Sequence, residues 1–81
     1  MSYIRQNGLI RIDYEDGSKG DTFRVLLINT ATDRLWLLKV ETQDGMRLPY
    51  HRAADPFPIK KLELMISERR AAFVEENVPA V

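Results

Sequence analysis

The chain has 81 residues, twelve basic and twelve acidic side chains, a hydrophobic fraction of 44% and no cysteine. That length allows one small domain with a thin core, burying about 60% of its unfolded surface, and the missing thiols exclude disulfides and thiolate metal sites. The balanced charge argues against tight non-specific binding of nucleic acid, which rests on neutralising phosphates, but leaves room for a local basic patch.

Residues 1–8 read as an N-terminal extension. In Leu9–Tyr14 the sequence LIRIDY sets Leu9, Arg11 and Asp13 against Ile10, Ile12 and Tyr14, a period of two that predicts a strand with one wet face. Glu15–Asp21 (EDGSKGD) is a loop rich in Gly and Asp. Thr22–Asn29 predicts a second strand, with Phe23, Val25 and Leu27 on one face. Thr30 to Asp33 break the pattern. Arg34–Glu41 predicts a third strand, with Trp36, Leu38 and Val40 facing the Phe23/Val25/Leu27 side. Two such runs joined by a few turn residues form a β-hairpin. Both of its faces are largely apolar, so it belongs at the centre of the fold, with Trp36 in the core.

Gln43-Asp44-Gly45 is the next turn, and Met46–Tyr50 predicts a short strand limited by Pro49. Pro56 and Pro58 keep the following segment out of any helix interior, so an edge segment ends near Ile59. A helix over about 60–70 follows, with Leu62, Met65 and Ile66 on one face at spacings of three and four. The stripe stops at Arg69, so Ala71–Glu75 predicts a last strand. One helix running on to Glu76 stays open beside that reading, because Phe73 returns to the same face. The domain spans 9–76, and 77–81 is a tail or the start of a linker. The sum is a mainly β fold with one short helix: a small curved antiparallel sheet or SH3-like partial barrel.

No constellation here supports catalysis, and neither a metal nor a cofactor is expected. His51 is the single histidine and its nearest carboxylate is Asp55, which suits a solvated loop rather than a metal site. Ser67 has no base at a defined spacing. Asp13, Glu15 and Asp16 lack the spacing and closing Glu of a calcium loop, and Gly17 and Gly20 serve as turn residues. The one charge feature is the run from Arg47 to Lys61, where Arg47, His51, Arg52, Lys60 and Lys61 face a single acid, Asp55. Tyr50 and Phe57 are interleaved with them. Basic and aromatic residues together can grip a nucleic-acid backbone and stack a base, so Arg47, Arg52, Lys60 and Lys61 are the candidate nucleic-acid contacts. The competing expectation packs both aromatics into the core and leaves the cations solvated. No apolar run approaches the ~18 residues of a membrane span. The start, MSYIRQNG, lacks a signal-peptide layout. A cytoplasmic protein without membrane contact is expected.

Four segments together resemble a family: Phe23-Arg24-Val25-Leu26, Asp33-Arg34-Leu35-Trp36-Leu37, Pro56-Phe57-Pro58-Ile59 and Leu62-Glu63-Leu64-Met65. Their order is similar to the small β-domain at the N-terminus of Mu-like bacterial DDE transposases. There a "YRVL" strand leads through a hairpin to a "D-x-V-x-L" strand, a proline segment, an "L-E-x-L" helix and a last strand. The resemblance covers about residues 9–76. It departs where the family's helix commonly ends in Gly, since Arg69-Arg70 stand here. The family's carboxylate-bearing catalytic core is absent from these residues. The resemblance implies a non-catalytic accessory domain that aids transposon-end DNA binding or assembly of the transposase complex, with DNA bound weakly by the domain alone and other transposase domains or subunits as partners. The alternative is an SH3-like protein-interaction module.

Overall fold

The structure, a computed structural model, describes residues 4–48 and 53–74. Its strands are β1 (Leu9–Ile12), β2 (Asp21–Asn29), β3 (Arg34–Glu41), β4 (Asp55–Pro58) and β5 (Ala71–Val74), and α1 (Ile59–Ser67) lies between the last two. All five strands form one antiparallel sheet in the order β4-β3-β2-β1-β5, and the sheet does not close. The expected mainly β fold with a short helix is what is found. Residues after the helix form a strand, so the single long helix is not adopted. Glu75, Glu76 and the predicted tail lie outside the described residues.

The helix runs from the end of one edge strand to the start of the other and touches both. Four strand spacings in a flat sheet would separate those edges by about 19 Å, whereas a nine-residue helix is only about 13.5 Å long. Residues 68–70 complete the crossing. Register shifts between Thr22 and Phe23 and between Val25 and Leu27 bend the β2–β3 hairpin, because an extra residue in one strand kinks it and increases its twist.

The core lies between the sheet and α1. Ile10, Val25, Leu35, Leu37, Leu62, Met65 and Ala71 are buried there, with Phe23, Ile28, Phe57 and Ile66 packed around them. The phase of the helix is as its spacing predicts: Leu62 and Met65 are buried, Ile66 is half-buried, and Glu63, Ser67 and Arg70 are exposed.

The hairpin departs from expectation in its third strand. The shift after Val25 pairs Leu37 with Val25 but Leu35 with Ile28. Leu35 and Leu37 thus face the core, and Trp36 faces outward beside Leu27, which is 52% exposed. Trp36 is half-buried, not a core residue. Leu38 is buried on that opposite side, away from the main cluster.

Two further expectations are corrected. Met46–Leu48 forms no strand; one bridge pairs Arg47 with Glu41, and the Leu48 N–H donates to the Val40 carbonyl. The remainder of that predicted strand, 49–50, lies outside the described residues. The helix begins at Ile59 and stops at Ser67, short of Arg70. It stops because the Arg69 N–H donates to Ile66 O and the Arg70 N–H to Met65 O, with Arg69 left-handed at φ 61°. That pair of bonds is the closing motif in which glycine is the usual left-handed residue.

Candidate functional site

Among the described residues, the candidate cations Arg47, Lys60 and Lys61 do not form one patch. Arg52 lies outside the described residues, as do Tyr50 and His51. Arg47 is exposed, and its backbone pairs with Glu41 in a single antiparallel bridge at the C-terminal end of β3. Lys60 and Lys61 are exposed in the first turn of α1, just beyond Pro58, which pairs with Arg34 at the N-terminal end of β3. From Arg34 to Glu41 the strand covers roughly 23 Å. Residues contiguous in sequence are separated because β4 runs antiparallel along β3 and carries the chain to its far end. Phe57 is half-buried against the core, with the Lys61 ammonium 5.6 Å from its ring centre. It is a packing residue and not a free stacking platform.

The lysines have a neighbour that sequence order hides. Arg34 is exposed, and its pairing with Pro58 sets it at the same end as Lys60 and Lys61. A signal existed: once the proline segment is paired with the third strand, Arg34 must lie opposite its end.

Asp33 organises this end of the molecule. It is the last residue of the β2–β3 turn and adopts φ 56°, a conformation that Asp and Asn tolerate better than most residues. Its carbonyl accepts from the Ile59 N–H at 3.2 Å and its Oδ1 accepts from the Lys60 N–H at 3.2 Å. Pro58 sits at the N-cap with no side-chain bond to offer. The turn therefore caps the helix from 27 residues away, satisfying donors that a helix start leaves unpaired.

A second polar centre holds the opposite end of the hairpin. Asp21 is buried. Its Oδ2 accepts from the Tyr14 hydroxyl at 3.1 Å and pairs with the Lys39 ammonium at 3.1 Å, and its Oδ1 accepts from the Gln43 N–H at 3.0 Å. Burial pushes its pKa up, but the bonds from Lys39, Tyr14 and Gln43 outweigh burial and hold the carboxyl below the usual range. Burial and the adjoining Asp21 charge raise the Tyr14 phenol. Asp13 is engaged by Arg11 Nε at 2.8 Å and by the Gly20 N–H at 3.3 Å, and Asp16 accepts from Ser18. These carboxylates serve turns and strand ends.

The described residues thus present polar groups used for scaffolding, cations divided between the two ends of β3, and an outer-face row in which Leu27, Trp36 and Pro56 are direct cross-strand neighbours. None of the described helices is long and apolar enough to cross a membrane. This is an open five-stranded antiparallel fold bridged by one helix. Set against family models, curated proteins and solved structures, the chain matches none.

Proposed function

We propose that this chain is a non-catalytic accessory domain of a DDE-type transposase, working in the cytoplasm and contributing to assembly of the transposase on transposon ends. The observation that carries this reading is where the four resembling segments fall. Phe23–Leu26 lies within β2 and spans its bend, and Asp33–Leu37 supplies the helix cap and two core leucines. Pro56–Ile59 leads from β4 directly into α1, and Leu62–Met65 places Leu62 and Met65 in the core. Each segment has a structural job in one fold, which supports reading their order as a shared architecture. The divided cations favour assembly through protein contacts over a grip on DNA.

Titration with duplex DNA, followed by amide chemical shifts at low and physiological salt, tests this. Weak binding is expected, on the order of 10⁻⁴–10⁻⁶ M and fading with salt, as for non-specific phosphate contacts. Shifts should gather at Arg34, Lys60 and Lys61. Tight, salt-resistant binding would make this a DNA-reading domain and overturn the assembly role. The Leu27–Trp36–Pro56 row supports a second reading, a stand-alone protein-interaction module. The natural reading frame discriminates: a helix-turn-helix and a DDE core after Val81 support the first reading, an unrelated domain the second.

A further inference from the structure

We propose that Asn7–Gly8 is a self-modification site: the Gly8 backbone nitrogen closes on the Asn7 side-chain amide, and the isoaspartate that results unties the N-terminal arm from β2. Asn7 adopts φ 66°, a left-handed conformation that selects Gly, Asn or Asp. Asn followed by glycine is the reactive choice among these. Asn7 is exposed. Its backbone N–H donates to Val25 O and its carbonyl accepts from Arg24 Nη1, but its side-chain amide makes no hydrogen bond to the described residues. That amide is free to swing its Cγ toward the next nitrogen, and glycine has no β-carbon to shield the nitrogen.

The Gly8 N–H donates to Arg5 O at 3.0 Å, so the nitrogen must first be released. Release is local. The peptide unit joining Asn7 to Gly8 carries only the Asn7 carbonyl and the Gly8 N–H. Rotating it breaks the bonds to Arg24 and Arg5. The Asn7 N–H and the Gly8 carbonyl belong to the neighbouring units, so both bonds to Val25 persist. Glycine tolerates whatever φ the rotation requires. The other Asn among the described residues, Asn29, is held differently. Its Oδ1 accepts from the Ala31 N–H at 3.1 Å, and the β-branched Thr30 follows it. Asp16 also precedes a glycine, but its carboxylate is held by the Ser18 N–H and hydroxyl, and an ionised carboxylate resists attack.

The Gly8 nitrogen gives its proton to solvent base and bonds to Asn7 Cγ. Ammonia leaves, and a five-membered succinimide remains. Water then opens either carbonyl, giving aspartate or isoaspartate at position 7. In isoaspartate the main chain runs through Cγ and is one carbon longer. The Asn7 N–H and the Gly8 carbonyl both bond to Val25, a buried core residue. An inserted carbon spoils the spacing of that pair. Ile4, packed against the core just upstream, loses its anchor with it. The proposal stands whether or not the transposase reading holds.

The test incubates the full chain at mildly alkaline pH and follows it by anion exchange, intact mass and peptide mapping, with an isoaspartate-specific methyltransferase as the probe. A more acidic species with isoaspartate at position 7 is expected. It should form about tenfold more slowly than in the urea-unfolded chain, the factor that releasing one or two hydrogen bonds gives. Asn29 should convert at least about tenfold more slowly than Asn7, because Thr30 crowds the attack. Gly8→Ala should slow Asn7 about tenfold by shielding the nitrogen. Its added Cβ lies 3.0 Å from Arg5 O. If that disturbs the turn, Asn7→Gln serves instead, since the longer side chain must close a six-membered ring and should show no conversion on the same timescale. In the converted chain the Val25 amide should exchange at least about tenfold faster with solvent. The proposal is overturned if the folded chain forms no isoaspartate at position 7, or if only aspartate appears there, which marks direct hydrolysis. Conversion undiminished in both variants would overturn it, as would Asn29 reacting as fast as Asn7. A Val25 amide equally protected before and after conversion would overturn the untying of the arm.

Discussion

Replacing Asp33 dissects how a turn holds a helix that is distant in sequence. The residue supplies a left-handed conformation, a carbonyl to Ile59 and a carboxylate to Lys60. Asp33→Gly keeps the conformation and the carbonyl but deletes the side-chain cap, which costs about 1 kcal/mol at a typical N-cap. At 3.2 Å and exposed, this bond belongs to the lower half of the 0.5–2 kcal/mol range. Asp33→Ala loses the same bond and adds the left-handed penalty of about 1 kcal/mol, for a total near 2 kcal/mol. Asp33→Asn keeps both acceptor and conformation and loses only the charge at the helix start, about 0.3–1 kcal/mol. The order of stability should be wild type, Asn, Gly, Ala. In thermal unfolding, each kcal/mol moves the midpoint by about 4–8 °C in a domain this small. If Asp33→Ala melts no lower than Thr32→Ala, its exposed neighbour in the same turn, the helix is not held from this turn and the capping argument fails.

Gly20→Ala should destabilise by ~3 kcal/mol or more, because a Cβ there would overlap the Ile12 carbonyl, which is backbone and cannot swing aside; urea unfolding near wild type would refute that close approach. Arg69→Gly should raise stability by about 0.5–1 kcal/mol, since relief of the left-handed strain exceeds the added freedom of the unfolded chain, and an unchanged or lower melting temperature would count against it. Leu35→Ala should cost about 3 kcal/mol and Trp36→Ala about 1–2 kcal/mol, because Leu35 is fully buried and Trp36 lies half-buried on the outer face; the reverse order would return Trp36 to the core. The folded Asp21 carboxyl titrates below its unfolded value, so its stabilisation is complete above the unfolded pKa near 3.9 and is lost as pH falls through the folded pKa. Asp21→Asn should therefore be less stable at neutral pH and show a shallower acid limb; parallel pH–stability curves would contradict this.

Much of the fold was legible in local periodicity. Ile10 and Ile12 mark the inner face of β1, and Leu62, Met65 and Ile66 fix the helix phase. The end of the apolar stripe at Arg69 also marks the boundary before β5. The misplacing of Trp36 has one physical source: alternation describes a regular ladder, and this ladder is interrupted. The shift after Val25 turns Leu27 outward while Ile28 faces in, so carrying strict alternation across the hairpin put Trp36 in the core. The site was less legible. Asp33 reads locally as a turn residue, because the donors it caps are distant in sequence and Pro58 occupies the cap itself. Arg47 and Lys60 look like one basic run until antiparallel pairing carries them to opposite ends of β3, and the same pairing brings in Arg34.

The transposase reading is tested most directly by removing this domain from the protein its reading frame encodes. End-DNA complexes would be compared by native gel mobility for the full-length protein and a version lacking residues 9–76, with metal-dependent strand transfer on pre-cleaved ends measured in parallel. The account predicts that the deletion sharply reduces higher-order complexes while the catalytic core keeps its activity on pre-cleaved ends. Complexes that form equally well without the domain would contradict it, as would a reading frame that encodes no DDE core.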